Sequence, residues 1–169
     1  MSLLHVVGDM FERGIQIDSC YITEALAYEQ VEIEKAKKNF QIETGAEYQD
    51  SPKLFKEIFD ARGEAYGRTA KGNASFTSEV LETINSPTAS LINTIRHHEK
   101  RAGTYWSSFL YYADGNGILR ANAGPANTST GRFSYRNPNL QNLQKEDAGK
   151  YKIRRSFIPT KGEAFISID

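Results

Sequence analysis

Apolar residues recur at helical spacing over the first two-thirds of the chain and in short, alternating runs over the last third. Leu3 to Arg13 reads as a short helix, and the following Gly14 suits a left-handed C-terminal position. Ile15-Gln16-Ile17 reads as a brief extended link. Asp18 is placed to cap a long helix in which Ile22, Leu26, Ile33, Ala36 and Phe40 share one side, while Glu29, Glu32, Lys35 and Lys38 occupy the other. That helix should end near Gly45. Ser51 followed by Pro52 opens a short helix through Phe59, stopped by Gly63, and Thr77 caps another from Ser78 to about Ile84. Ser86-Pro87 then starts a second long helix reaching about Ala113, with Leu91, Ile95, Trp106, Phe109 and Leu110 as its buried stripe. At about 1.5 Å per residue it would span roughly 40 Å.

Ala65 to Phe76 carries no apolar period and reads as a loop. After Asp114-Gly115-Asn116-Gly117 the pattern changes: Ile118-Leu119-Arg120-Ala121 and Ala164-Phe165-Ile166-Ser167-Ile168-Asp169 read as strands. The expected class is α+β, with long antiparallel helices followed by the first strands of an incomplete sheet domain. The expected division is a base at 1–17, a helical arm at 18–113 and the sheet portion at 114–169.

Composition fits a globular chain, with 39% hydrophobic and 25% charged residues. The single Cys20 excludes a disulfide framework and suits a reducing compartment. The N-terminal run is soon interrupted by Asp9 and Glu12, too early for a signal peptide, and no apolar stretch approaches spanning length. No membrane association is expected. The formal charge of zero conceals a polarity: residues 1–90 hold 9 Lys/Arg against 15 Asp/Glu, and residues 91–169 hold 12 against 6. A basic half of this kind favours a polyanion, because neutralised phosphates release condensed counterions.

The most informative stretch is Thr128-Ser129-Thr130-Gly131-Arg132-Phe133-Ser134, followed by Pro138-Asn139-Leu140-Gln141-Asn142. Taken singly, these residues describe an ordinary polar surface loop. Taken together, Arg132, Asn139, Gln141 and Asn142 are donors suited to the degenerate acceptors of a duplex minor groove, which vary little between base pairs. Gly131 allows close backbone approach, and Pro138 fixes the turn before the Asn-Leu-Gln-Asn run. Lys145, Lys150, Lys152, Arg154 and Arg155 follow, readable either as phosphate contacts or as a solvated face with Ile153 and Phe157 packed inward. Arg96, Lys100 and Thr104 lie at i, i+4, i+8 and so along one side of the second long helix, where they can track a backbone. Adjacent His97 and His98 point about 100° apart with no third ligand spaced to join them, and are expected at the surface. Strand alternation places Phe165, Ser167 and Asp169 on one face and Ile166 and Ile168 on the other, so that Asp169 emerges from the end of a buried strand. Such a carboxylate is suited to bridging the paired Mg²⁺ ions of phosphoryl transfer, for which one carboxylate is insufficient.

These motifs resemble the thumb and first part of the palm of family A DNA polymerases, the DNA polymerase I family. The similarity runs nearly end to end, from Met10-Phe11-Glu12-Arg13-Gly14-Ile15-Gln16-Ile17-Asp18 through Ser51-Pro52-Lys53-Leu54, Thr77-Ser78-Glu79-Val80-Leu81, the Thr-x-Thr-Gly-Arg and Pro-Asn-Leu-Gln-Asn motifs and Ile153-Arg154-Arg155-Ser156-Phe157, to the motif A strand ending at Asp169. The resemblance implies a template-directed DNA polymerase, a nucleotidyltransferase of DNA replication. In that reading Arg132 and Gln141 contact the primer-template minor groove, Asn139 and Asn142 assist, and Arg96, Lys100, Thr104 and Arg154 touch the sugar-phosphate backbone. Asp169 is then the first catalytic metal ligand of an incomplete two-Mg²⁺ site. Fingers and the rest of the palm are not in the sequence, so the chain alone is expected to be inactive, to engage dNTP only with the missing part, and to work with a complementary fragment in the cytoplasm of a bacterial or phage-infected cell. The alternative is a non-catalytic duplex DNA-binding module. The sequence departs from the family pattern at Tyr135-Arg136, where small residues are usual, at Leu143-Gln144, where Ile-Pro is common, and at Ala102-Gly103, where Lys-Ser is common.

Overall fold

Two apolar stripes on the long helices, one toward each end, bury two separate cores. The computed structural model describes residues 2–124, 132–143 and 149–166. It divides into one unit made of residues 1–27 and 102–169 and a second made of residues 28–101. These bounds differ from 18 and 114, because the basal turns of both long helices supply core to the sheet-bearing unit: Ile22 and Ala25 from one, Tyr105, Trp106 and Phe109 from the other. The class is α+β, helical with three small antiparallel sheets among the described residues.

The discontinuous unit begins with α1 (Leu3–Arg13) and β1 (Ile15–Gln16), which pairs antiparallel with β4 (Ile118–Leu119). Ile17 donates its N–H to Gly117 O at 2.9 Å, and Asp18 donates to Ser156 O at 2.8 Å. These bonds join the first residues to those a hundred positions on. Asp114 organises the turn before β4: its carboxylate accepts from Asn116 N and Ile118 N and pairs with Arg120 at 2.5 Å. The Arg120 guanidinium and the Ile118 amide hold this carboxyl below the usual range.

Gly14 has φ 61 and ψ −161, positive but outside the left-handed helical region, because the chain must enter β1 at once. A Cβ there would lie 2.7 Å from Leu119 O and 2.6 Å from Ile118 Cγ2. Gly45, with φ 74, has nothing within 4 Å of such a position. Gly14→Ala should therefore lower the urea midpoint well beyond Gly45→Ala, the latter costing about 1 kcal/mol for its φ alone. Equal midpoints for the two variants would contradict the close approach.

α2 (Ser19–Thr44) is capped as expected, with Tyr21 N donating to Asp18 Oδ1 at 2.9 Å, and it stops before Gly45. In the helical unit it packs with α3 (Pro52–Arg62), α4 (Ser78–Glu82) and α5 (Pro87–Lys100) around Phe40, Phe55, Phe59, Phe76, Leu81, Ile92 and Ile95. Phe55 and Phe76 meet edge to face at 5.7 Å, a geometry that aromatic quadrupoles favour. Ser86 caps α5, its Oγ accepting from Thr88 N and Ala89 N. Gly63 caps α3 in the left-handed conformation, so the helix runs to Arg62, three residues past Phe59.

Three expectations are corrected here. Ala65 to Phe76 is not simply a loop: β2 (Gly67–Arg68) and β3 (Ala74–Ser75) form a hairpin whose two-residue strands are too short to show alternation. Glu29 is not on the solvent side of α2 but fully buried, in register with Ile22, Ala25, Ala36 and Phe40. The second long helix is not one α-helix: residues Arg101–Ser107 form a π-helical segment before α6 (Ser108–Tyr112). Ala102-Gly103, one of the departures from the family pattern, lies inside it.

The end of the described chain differs as well. Ala164 to Ile166 form no strand, and Phe165 and Ile166 are exposed, because no described segment pairs with them or covers them. Asp169, Ser167 and Ile168 lie outside the described residues, as do Thr128 to Gly131, Gln144 and Lys145.

Candidate nucleic-acid interface

Segment 132–142 is built onto the sheet-bearing unit by β6 (Ser134–Arg136), which pairs with β5 (Asn122–Gly124), Tyr135 opposite Ala123. Only Ser134–Arg136 of it is strand. A short pair at a surface tolerates polar side chains that a core strand does not. Asn137 then turns with φ 55 and the buried Pro138 follows. Asn139 caps the 3-10 turn Leu140–Asn142, its Oδ1 accepting from Gln141 N at 3.0 Å. Two tyrosines on the helical run secure the segment: Tyr112 donates to Asn137 Oδ1 at 3.2 Å and Tyr105 to Asn142 O at 3.0 Å.

Arg132, Asn139, Gln141 and Asn142 are all exposed on this segment. The Gln141 amide donates one N–H to Phe133 O at 2.7 Å, which fixes the side chain and leaves its second N–H and its carbonyl oxygen. Gln141 lines a mostly apolar hollow of about 420 Å³ with Met10, Phe11, Leu119 and Tyr135. Asn139 lines a different concavity of mixed polar and apolar character, about 390 Å³, and Thr104 stands in that same concavity. The structure thus brings Thr104 to Asn139. Ser108, Tyr112 and Arg136 also line it and were not anticipated, although Thr104, Ser108 and Tyr112 stand at i, i+4, i+8, a spacing legible in the sequence.

Arg154, Arg96 and Lys100 are not among the residues that line that concavity. Arg154 is exposed on the 3-10 turn Ile153–Ser156, where Ile153 is buried and Phe157 packs against the core. Arg96 and Lys100 belong to the helical unit. Lys100 is exposed, whereas Arg96 pairs with Asp50 at 2.5 Å, donates to Phe76 O and covers the Phe55 ring at 5.3 Å, so its guanidinium is engaged within the fold. His98 is corrected from a surface residue: its Nδ1 lies 2.5 Å from Glu29 Oε2, and Arg101 Nε donates to Glu29 Oε1 at 2.6 Å. His97 is exposed. Among the described residues no group of three or more His, Cys, Asp or Glu is placed to hold a metal ion. The candidate ligand Asp169 lies outside the described residues.

The DNA polymerase family A model matches residues 20–169. The chain belongs to DNA polymerase family A. DNA polymerase I of Chloroflexus aurantiacus is 29% identical over 181 residues, covering all of this family A chain and 19% of its own length. DNA polymerase DpoZ of Vibrio phage phiVC8 is 26% identical over 175 residues, covering 93% of the chain and 28% of its own length. The chain thus spans about a fifth to a quarter of the curated relatives it matches. A solved structure, the POL domain of Pol1 from M. smegmatis in complex with DNA primer-template and dNTP, superposes with a TM-score of 0.82 over 94% of the chain and 29% of its own, at 21% identity. That likeness speaks to the fold. Among the described residues no helix is long and apolar enough to cross a membrane.

Proposed function

We propose that this family A chain forms the thumb and first part of the palm of a template-directed DNA polymerase that extends a primer 3′ end. Residues 18–113 act as the thumb, residues 1–17 as its base and residues 114–169 as the partial palm. The observation that carries the reading is the exposed array of Arg132, Asn139, Gln141 and Asn142, held by Tyr105 and Tyr112 within the span matched to the family. Its guanidinium and amides are suited to the acceptors that every base pair offers in the minor groove. Lys100, Thr104 and Arg154 are exposed for backbone contact. Arg96 reaches a phosphate only by giving up Asp50. Asp169 supplies one ligand of a two-Mg²⁺ site, whose chemistry is to stabilise developing charge on the transferring phosphate. The other ligands, the nucleotide-binding residues and dNTP itself come with the polymerase portion outside this span, in a bacterial or phage-infected cytoplasm.

The test is primer extension with and without a polypeptide that begins just after Asp169. Synthesis is expected only with both, and robust extension by this chain alone would refute the division of labour. Arg132→Ala should lower reconstituted synthesis on the order of 10- to 100-fold, the equivalent of about 1–3 kcal/mol of groove contact. A non-catalytic duplex-binding module predicts otherwise: a modest, salt-dependent loss of affinity and no synthesis to lose.

A further inference from the structure

We propose that Tyr105 and Tyr112 are positioning residues that set how strictly this chain tests the last base pair of a bound primer. This rests on the groove-contact reading above and adds two residues that act through the segment at 137–142. Among the described residues, no backbone hydrogen bond ties residues 137–139 to another element. The stretch carrying Asn139, Gln141 and Asn142 is instead tethered at both ends by hydroxyls from the helical run. Tyr112 donates to Asn137 Oδ1 at 3.2 Å at its start, and Tyr105, 2% exposed, donates to Asn142 O at 3.0 Å at its end.

Asn137 sits at φ 55, a left-handed conformation that asparagine adopts more readily than most residues, and its side-chain oxygen is the atom that Tyr112 holds. Asn139 Oδ1 accepts from Gln141 N, so a shift at either tether passes to Gln141. Tyr105 stands in the π-helical segment and Tyr112 closes α6, so one helical run grips both ends of one turn. Minor-groove acceptors keep nearly constant places in the four Watson-Crick pairs, and a mispair moves them. Donors report that displacement only if they are themselves fixed, since a donor free to follow by about 1 Å accepts the mispair as well. A fixed array selects a correctly paired end, whereas a loose one still binds duplex.

Retention of recessed primer-template duplexes by the full chain tests this, with the last primer pair either matched or mispaired. The native chain should hold the matched end on the order of tenfold more tightly. Tyr112→Phe and Tyr105→Phe should each cut that ratio roughly threefold, the loss of one hydrogen bond. Asn137→Gly, which permits the same backbone conformation and removes the acceptor, should match Tyr112→Phe and add nothing to it. In a Gln141→Ala background neither tyrosine change should alter the ratio further, which separates positioning from a general weakening of the fold. A ratio unchanged in either folded tyrosine variant, or an equal further loss in the Gln141→Ala background, would overturn the positioning role and leave duplex binding standing. So would a native chain that holds both ends alike. A native chain that retains no duplex at low salt would overturn the groove-contact reading as well. Tyr112 is exposed, so Tyr112→Phe should melt with the native chain and stays decisive if Tyr105→Phe loses its fold.

Discussion

Replacing Glu29 with leucine should destabilise the helical unit by about 3–5 kcal/mol, the cost of breaking a buried ion pair by removing one member. Glu29 and Arg101 have side chains about 1% exposed, and one carboxylate serves both Arg101 Nε and His98 Nδ1. Removing the carboxylate takes away the acceptor that the buried guanidinium and His98 share. The triple replacement Glu29→Leu, His98→Leu and Arg101→Leu should recover most of the loss, because an apolar core of similar volume needs no pairing. Guanidinium denaturation of the three proteins checks this. A midpoint for Glu29→Leu within error of the native chain would sink the claim. A triple variant no better than the single one would show that the ion pairs, not the burial, hold the packing.

Asp169→Asn should abolish synthesis by the reconstituted polymerase while leaving duplex retention in place. Metal-assisted charge stabilisation is worth several kcal/mol, and each 1.4 kcal/mol is tenfold, so the rate should fall on the order of 1,000-fold. A primer-extension time course beside a gel-shift assay reads the two effects separately. The contrast with Arg132→Ala is the informative part, since that change should weaken both. If Asp169→Asn extended primers at the native rate, Asp169 would have no part in the chemistry, whatever its place in the sequence motif.

Helix boundaries were legible where a single residue type decides them. Asp18 caps α2 through its side chain, Ser86 caps α5, and Gly63 adopts the left-handed conformation that ends α3. The residue pattern also drew attention to segment 132–142, whose donors are exposed. What escaped was decided by contacts remote in sequence. Glu29 sits at a stripe position, yet its charge argued for solvent; only partners 69 and 72 residues away make its burial tolerable. His98 was misread for the same reason. The π-helical segment carries apolar residues at spacings that an α-helix also satisfies, so periodicity does not separate the two.

The discontinuous make-up of the sheet-bearing unit sets an order of events during synthesis. The helical unit is one unbroken run ending at residue 101, and it is complete as soon as that run has left the ribosome. Its neighbour must wait. Residues 15–17 find their hydrogen-bonding partners only at 117–119 and 157–158, so nascent β1 spends the making of a hundred further residues with unsatisfied backbone. Newly made protein caught in that interval should hold a folded helical excursion on an unfinished foundation, recognisable by protease resistance confined to residues 28–101.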